Sequence, residues 1–247
     1  MEVHAHTHTP RKKWTHYFWE FFMLFLAVTL GFFVENLREH GIEKKREKQF
    51  IHSLINDITA DTARLNNLIN LRNQREVWLD SLSFIMNSEM FQTFATSEIY
   101  YYAVYVPRSI QLRFLPNDGT LQQLKNAGGL RLIHNAEVAD SIVRYDIGTR
   151  NLIGVGKVEE DLFEDYRGIA HKFFNGVVFD SILDANNLPH RLPYNPKLYS
   201  FKPEDLHEFN YKLFSIKAYN RASRRESRRL LQQSENLLII IKREYNL

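Results

Sequence analysis

The sequence predicts an all-α protein in which one N-terminal transmembrane helix continues into a long stalk helix and an antiparallel helical bundle follows. Three observations predict it: an unbroken apolar run from Trp14 to Val34, no proline between Pro10 and Pro107, and apolar residues recurring at steps of three and four through most of the chain. That recurrence is the mark of helices with one buried face. The 247 residues divide into a tail at 1–13, a membrane span at 14–34 and a soluble bundle at 35–247. The bundle is long enough for one domain with a hydrophobic core.

In the tail, His4, His6 and His8 alternate, and Arg11, Lys12 and Lys13 adjoin the span. Histidine tracts bind transition metals. A flexible tail must first be ordered, so adventitious affinity is the expectation and no metal or other cofactor is assigned. The 21 residues of the span carry only His16 and Glu20 as ionisable side chains. At helical rise they extend about 31 Å, enough to cross a hydrocarbon core. Trp14, Tyr17 and Trp19 lie where aromatic rings favour the headgroups, and Phe21, Leu24, Leu26, Leu30, Phe33 and Val34 supply the apolar body. Glu20, one turn inside the aromatic belt, is expected to snorkel to the interface. The run ends without an A-x-A arrangement, which argues for an uncleaved anchor over a signal peptide. Arg11 to Lys13 abut the span, whereas most of Arg38, Lys44, Lys45, Arg46 and Lys48 lie farther from it. The balance tips slightly to an N-terminus inside and a domain outside the cytoplasm.

The run Lys12-Lys-Trp-Thr-His-Tyr-Phe-Trp-Glu-Phe-Phe-Met-Leu-Phe-Leu-Ala-Val, with Glu35-Asn-Leu-Arg-Glu-His and Lys45-Arg-Glu-Lys-Gln, resembles a family of uncharacterised single-pass membrane proteins of Bacteroidota. The segment Thr120-Leu-Gln-Gln-Leu-Lys-Asn-Ala-Gly-Gly-Leu-Arg-Leu-Ile is similar to one recurring in their soluble domains. The resemblance covers about a quarter of the chain closely. It implies an inner-membrane address and supplies no catalytic or binding residue. Phe22 and Thr29 depart from the commoner residues there.

Beyond the span, Ile51, Leu54, Ile55, Ile58, Leu65, Leu68, Ile69, Leu79, Leu82 and Met86 form one stripe on a stalk helix spanning about 35–88. Residues 89–117 admit a short strand or an aromatic-rich helix stopped at Pro107, and helix is favoured. Thr120 and Gln123 have capping-box spacing, and Gly128-Gly129 reads as a helix end. Asn135 caps the next helix, whose apolar positions continue from Val138 to Phe173 past Gly148, Gly154 and Gly156. These glycines bend it or permit close packing. Residues 175–203 hold four of the seven prolines and read as a long loop. Pro203, Glu204 and Asp205 open a last helix at about 204–245. Its seam runs Leu206, Phe209, Leu213, Ile216, Asn220, Ser223, Ser227, Leu230, Ser234, Leu237 and Ile241, heptad-like with a polar centre.

With no cysteine, disulfides, thiolate metal sites and thiol nucleophiles are excluded, and a net charge of +3 gives no global footprint for nucleic acid. Arg221, Arg224, Arg225, Arg228 and Arg229 form a local patch that would suit anionic lipid, nucleic acid or a partner. Pairing with the acidic run Glu159, Glu160, Asp161, Glu164 and Asp165, or a simple solvated face, is the simpler reading. Glu204 and His207 give one Glu-x-x-His, where a di-iron bundle needs two, and His171 and His190 have no ligand-like spacing to them. No nucleophile elbow occurs. Tyr100, Tyr101, Tyr102 and Tyr105, with Phe91, Phe94, Phe114 and Tyr145, suit a core better than a ligand pocket. The functional expectation is a membrane-anchored, non-catalytic module with an interaction, scaffold or sensory role. Its partners would be the bilayer and a protein or a second copy, and no nucleic acid. The alternative is a cytoplasmic-facing domain gripping anionic lipid or nucleic acid through Arg221 to Arg229.

Overall fold

The computed structural model describes residues 13–89, 91–106, 112–126 and 128–247, and of Gln92 the backbone alone. His4, His6, His8, Arg11, Lys12 and Pro107 lie outside the described residues. Among the described residues there are six α-helices and no strand: α1 (Trp14–Asn87), α2 (Thr96–Tyr105), α3 (Gly119–Asn126), α4 (Ala136–Ala170), α5 (Gly176–Ser181) and α6 (Pro203–Tyr245). Two compact units divide the chain after Phe50.

In the first unit, the N-terminal part of α1 is a candidate membrane span by length and composition. Its most apolar window has a mean hydropathy of 1.9 and none of it is buried. Trp14, Tyr17, Trp19, Phe21, Leu24, Leu30, Phe33 and Val34 are exposed and Leu26 half-exposed. Thr29, the polar side chain in the middle of the run, donates its hydroxyl to the Phe25 carbonyl at 2.8 Å. A polar group satisfied inside its own helix is what an apolar solvent demands. Glu20 pairs with His16 at 3.0 Å, one turn nearer the N-terminus.

The second unit, Ile51–Leu247, is a bundle of three long helices closed at one end by α2, α5 and the segment after it. All of the α1 stripe is buried except Ile55, which is half-buried. The α6 seam is buried from Phe209 to Ile241, polar centre included. Glu76 of α1 pairs with Arg224 and Asp80 with Lys217 of α6, and Glu137 and Asp165 of α4 pair with Arg243 and Lys212, so α6 runs antiparallel to both. By contrast α1 and α4 share a direction. Asp61 meets Tyr145 and, farther along both helices, Arg72 meets Glu159. The connection through α2 and α3 returns the chain to the starting end, so the neighbours are not all antiparallel.

The expected caps divide. Asn135 opens α4 by accepting from the Val138 amide at 3.1 Å, and Gly128, at φ 63°, takes the left-handed turn that ends the region after α3. Thr120 is not a cap. It lies inside α3, and its amide donates to Asp57 of α1 at 3.3 Å while Gln122 binds Asp118. A carboxylate at a helix N-terminus is favoured by the helix dipole. Gly148 is the close-packing glycine of α4: a Cβ there would lie 2.3 Å from Gln233 Oε1 and 3.0 Å from Leu230 Cδ1, whereas Gly154 and Gly156 have open space.

One expectation is met and one is corrected. The aromatic-rich helix favoured over a strand and expected to stop at Pro107 is α2, Thr96–Tyr105, and after it residues 113–118 are irregular. Asp61 holds that segment in place by accepting from the Asn117 amide, a bond that a continuing helix would not allow. The long loop expected at 175–203 contains α5 and an isolated bridge between Leu183 and Pro189. Asn175 caps α5 by accepting from the Val177 amide at 3.0 Å, and Phe179 anchors it 5.5 Å from the Tyr100 ring. Residues beyond it cover the aromatic end of the core, where the Phe201 ring packs tilted against Phe173, centres 4.5 Å apart.

Candidate functional site

The middle of the bundle is charged. Arg72 and Arg75 lie three apart on α1 and therefore share the face that the apolar stripe occupies above and below them. Each is 1% exposed. Glu159, reaching in from α4, accepts through Oε1 from Arg72 Nη1 at 3.0 Å and Arg75 Nη1 at 2.9 Å, and through Oε2 from Arg72 Nη2 at 2.9 Å. From α6, Asn220 donates to the Arg72 carbonyl at 3.1 Å and places its Oδ1 3.5 Å from Arg72 Nη1. The Leu112 carbonyl accepts from Arg72 at 3.1 Å and the Val106 carbonyl from Arg75 at 2.6 Å. Arg75 also lies over the Phe163 ring, 4.2 Å from its centre.

Two guanidiniums against one carboxylate leave one positive charge inside the bundle. Burial pulls Arg75 down to about 10, which keeps it charged at neutral pH. The Nε atoms of both arginines have no partner among the described residues. Such orphaned donors are uncommon in a core. Two cavities adjoin the cluster. One of about 250 Å³ is lined by Arg75, Leu71, Trp78, Tyr105, Leu112 and Leu188, and one of about 240 Å³ by Arg72, Phe114, Leu152, Gly156 and Lys157.

A second buried carboxylate, Asp61, serves packing. It accepts from the Asn117 amide at 2.9 Å, Asn117 Nδ2 at 3.0 Å and the Tyr145 hydroxyl at 2.5 Å. Burial raises its pKa against the pull of these bonds, and burial followed by the Asp61 bond pushes Tyr145 up. Asp146 takes Lys125 at 3.1 Å and Arg150 at 3.1 Å, fastening α3 to α4.

The arginine patch splits into bound and free ends. Arg221 binds Glu76 at 2.6 Å, and Arg224 binds Glu76 and, at 3.0 Å, Asn73. Among the described residues Arg225 and Arg229 reach only Glu226, at 4.0 and 3.9 Å, and Arg228 is exposed. The patch is thus paired with α1, not with the acidic run of α4, because the antiparallel α1–α6 contact sets Glu76 and Asp80 opposite it. That run is otherwise engaged. Glu159 holds the arginine pair, Glu160 binds Arg113, Glu164 binds Arg167, and Asp165 binds Lys212 at 2.8 Å.

The aromatic set also separates. Tyr100 is core, its hydroxyl accepting from the Asn175 amide at 2.9 Å and donating to the Lys197 carbonyl at 3.2 Å. Phe91, Phe94, Tyr102 and Tyr105 pack against that core, while Phe114 and Tyr145 are buried elsewhere. Tyr105 stacks on Trp78, ring centres 3.7 Å apart, at the wall of the larger cavity. His171, His190, Glu204 and His207 are all exposed. Among the described residues no three His, Asp or Glu side chains are grouped to hold a metal ion.

No protein-family model, no curated protein and no solved structure matches the chain. Fold and site define a class by themselves: an all-helical protein with one candidate membrane span and a bundle built around a buried ionic layer.

Proposed function

We propose that the chain is a membrane-anchored, non-catalytic helical module of the cell envelope, held in the inner membrane with its bundle on the periplasmic side, and that it acts by recognising a partner or ligand there. The observation that carries this reading is that α1 contains both the candidate span and, from Ile51 onward, a wall of the bundle core. The inner-membrane address follows the family resemblance, and the periplasmic side follows the basic residues next to Trp14. The bilayer and a protein partner or second copy are the expected neighbours.

Carbonate extraction of membranes, with an alkaline phosphatase fusion after Leu247, tests both halves. Retention in the membrane with an active fusion supports the reading. Release by carbonate refutes the anchor, and an inactive fusion refutes the side. The second reading, an anionic-lipid or nucleic-acid grip on the cytoplasmic face, draws on the exposed ends of Arg225, Arg228 and Arg229. It requires the inactive fusion and loss of binding in a triple glutamine variant of those three.

A further inference from the structure

We infer that the cavity beside Arg75 is a binding site for a small organic monocarboxylate with an apolar or aromatic body. The inference goes beyond the envelope reading and does not depend on it, since every residue it uses lies in the second unit.

Charge comes first. A buried layer with one uncompensated positive charge is costly, and among the described residues the charge is softened by carbonyl dipoles, the Asn220 side-chain oxygen and the Phe163 ring. A monoanion neutralises the layer. A dianion such as inorganic phosphate would overshoot to a net negative charge. Donors come second. A guanidinium carries five N–H groups. Hydrogen bonds from Arg75 to described residues go to Glu159 and Val106 alone, and its Nε has no partner among them. Arg75 therefore retains unused donor capacity, and a guanidinium is the side chain best suited to a carboxylate. Arg75 is 1% exposed and contributes to the cavity wall.

The walls set the rest of the ligand. Leu71, Leu112, Leu188 and the stacked Trp78 and Tyr105 face the space with apolar surface. The volume is about 250 Å³. A cavity of about 150 Å³ holds benzene, so about ten or eleven non-hydrogen atoms fit here. An aryl-alkanoate of the size of 3-phenylpropionate meets all three requirements.

The test is calorimetric titration of the full chain in phosphatidylcholine nanodiscs with 3-phenylpropionate, its neutral amide and inorganic phosphate. The acid should bind saturably, and the amide and phosphate at least about tenfold more weakly. Leu188 is 55% exposed, so Leu188→Glu places a negative charge at the rim without disturbing the core. That variant should weaken the acid by about tenfold or more at an unchanged unfolding midpoint, and Arg75→Lys should weaken it while keeping the layer's charge. No saturable heat with the acid overturns the assignment. Equal binding of acid and amide does so too, as does phosphate binding as tightly as the acid, or a Leu188→Glu variant that binds like the native chain.

Discussion

Replacing Glu159 by glutamine removes the one carboxylate that holds two buried guanidiniums, while its volume barely changes. Three hydrogen bonds of 2.9 to 3.0 Å end on this side chain. The amide keeps one oxygen acceptor and turns its other end into a donor facing Arg72 or Arg75. Removing one partner of a buried ion pair costs about 3–5 kcal/mol. Here the loss leaves two like charges in contact, so the upper part of that range, about 4–5 kcal/mol, applies. Against a total stability of about 5–15 kcal/mol this is a large fraction. For an m-value of about 2–3 kcal/mol per molar, the urea midpoint of the full chain in detergent should fall by roughly 2 M, read by circular dichroism. The triple variant Arg72→Met, Arg75→Met, Glu159→Leu should recover most of that loss, since an apolar replacement of a whole buried ionic cluster is often neutral or stabilising. A Glu159→Gln midpoint within about 0.4 M of native would refute the claim that this carboxylate is the layer's counterion.

In α4, Gly154→Ala should stabilise by about 0.5–1 kcal/mol because its Cβ meets open space. Gly148→Leu should cost at least about 2 kcal/mol, as its side chain would collide with Leu230 and Gln233; thermal melts of the two variants should shift in opposite directions. The buried Asp61 has a pKa raised above the ordinary 3.8, so the folded chain binds that proton more tightly than the unfolded one. Its contribution therefore grows as pH falls from the raised value towards 3.8, and the stability gap between native and Asp61→Asn should widen on acidification through that window. Urea midpoints at about pH 7 and about pH 4 check it, and a gap that stays constant or narrows counts against it. Removing the charges of Arg225, Arg228 and Arg229 together should change stability by no more than about 0.5 kcal/mol, whereas Arg224→Gln, which loses Glu76, should cost about 1 kcal/mol or more. Asn220→Leu leaves the Arg72 carbonyl and guanidinium short of a partner, so it should cost about 1–3 kcal/mol and also lower the steepness of unfolding; a loss at unchanged steepness would mean that Asn220 only stabilises.

Most helices were legible because their signals are local. The cap at Asn135, the proline at 203 and the α6 seam are each set by residues a few positions apart, and the structure places all three as the pattern requires. Segments whose conformation depends on distant partners were not legible. Residues 113–118 are fixed by Asp61, more than fifty positions away, and α5 by its packing on Tyr100. The charged layer escaped notice although the sequence marks it. The α1 stripe skips from Ile69 to Leu79, and the positions that continue its spacing are Arg72 and Arg75; the step from Ile58 to Leu65 likewise contains Asp61. A polar residue at an apolar register position is a buried polar residue in waiting, and counting only the apolar members hides it.

The polar centre of α6 and the arginine pair of α1 explain each other. A leucine or isoleucine at Asn220 would press bulky methyl groups against the Arg72 guanidinium, which needs acceptors and room, and Ser223 and Ser227 continue the small polar stretch of the seam. All three residues are fully buried, and Asn220 exchanges a donor and an acceptor with Arg72. Sliding α6 by one heptad would bring Leu213 or Ser227 to that level, and neither offers a donor and an acceptor on separate atoms at that reach. The same slide would carry Arg221 and Arg224 away from Glu76. Apolar seams alone tolerate such slips, because one leucine packs much like the next. The ionic layer thus costs stability and returns a single register, which is the trade that the Asn220→Leu and triple apolar variants separate.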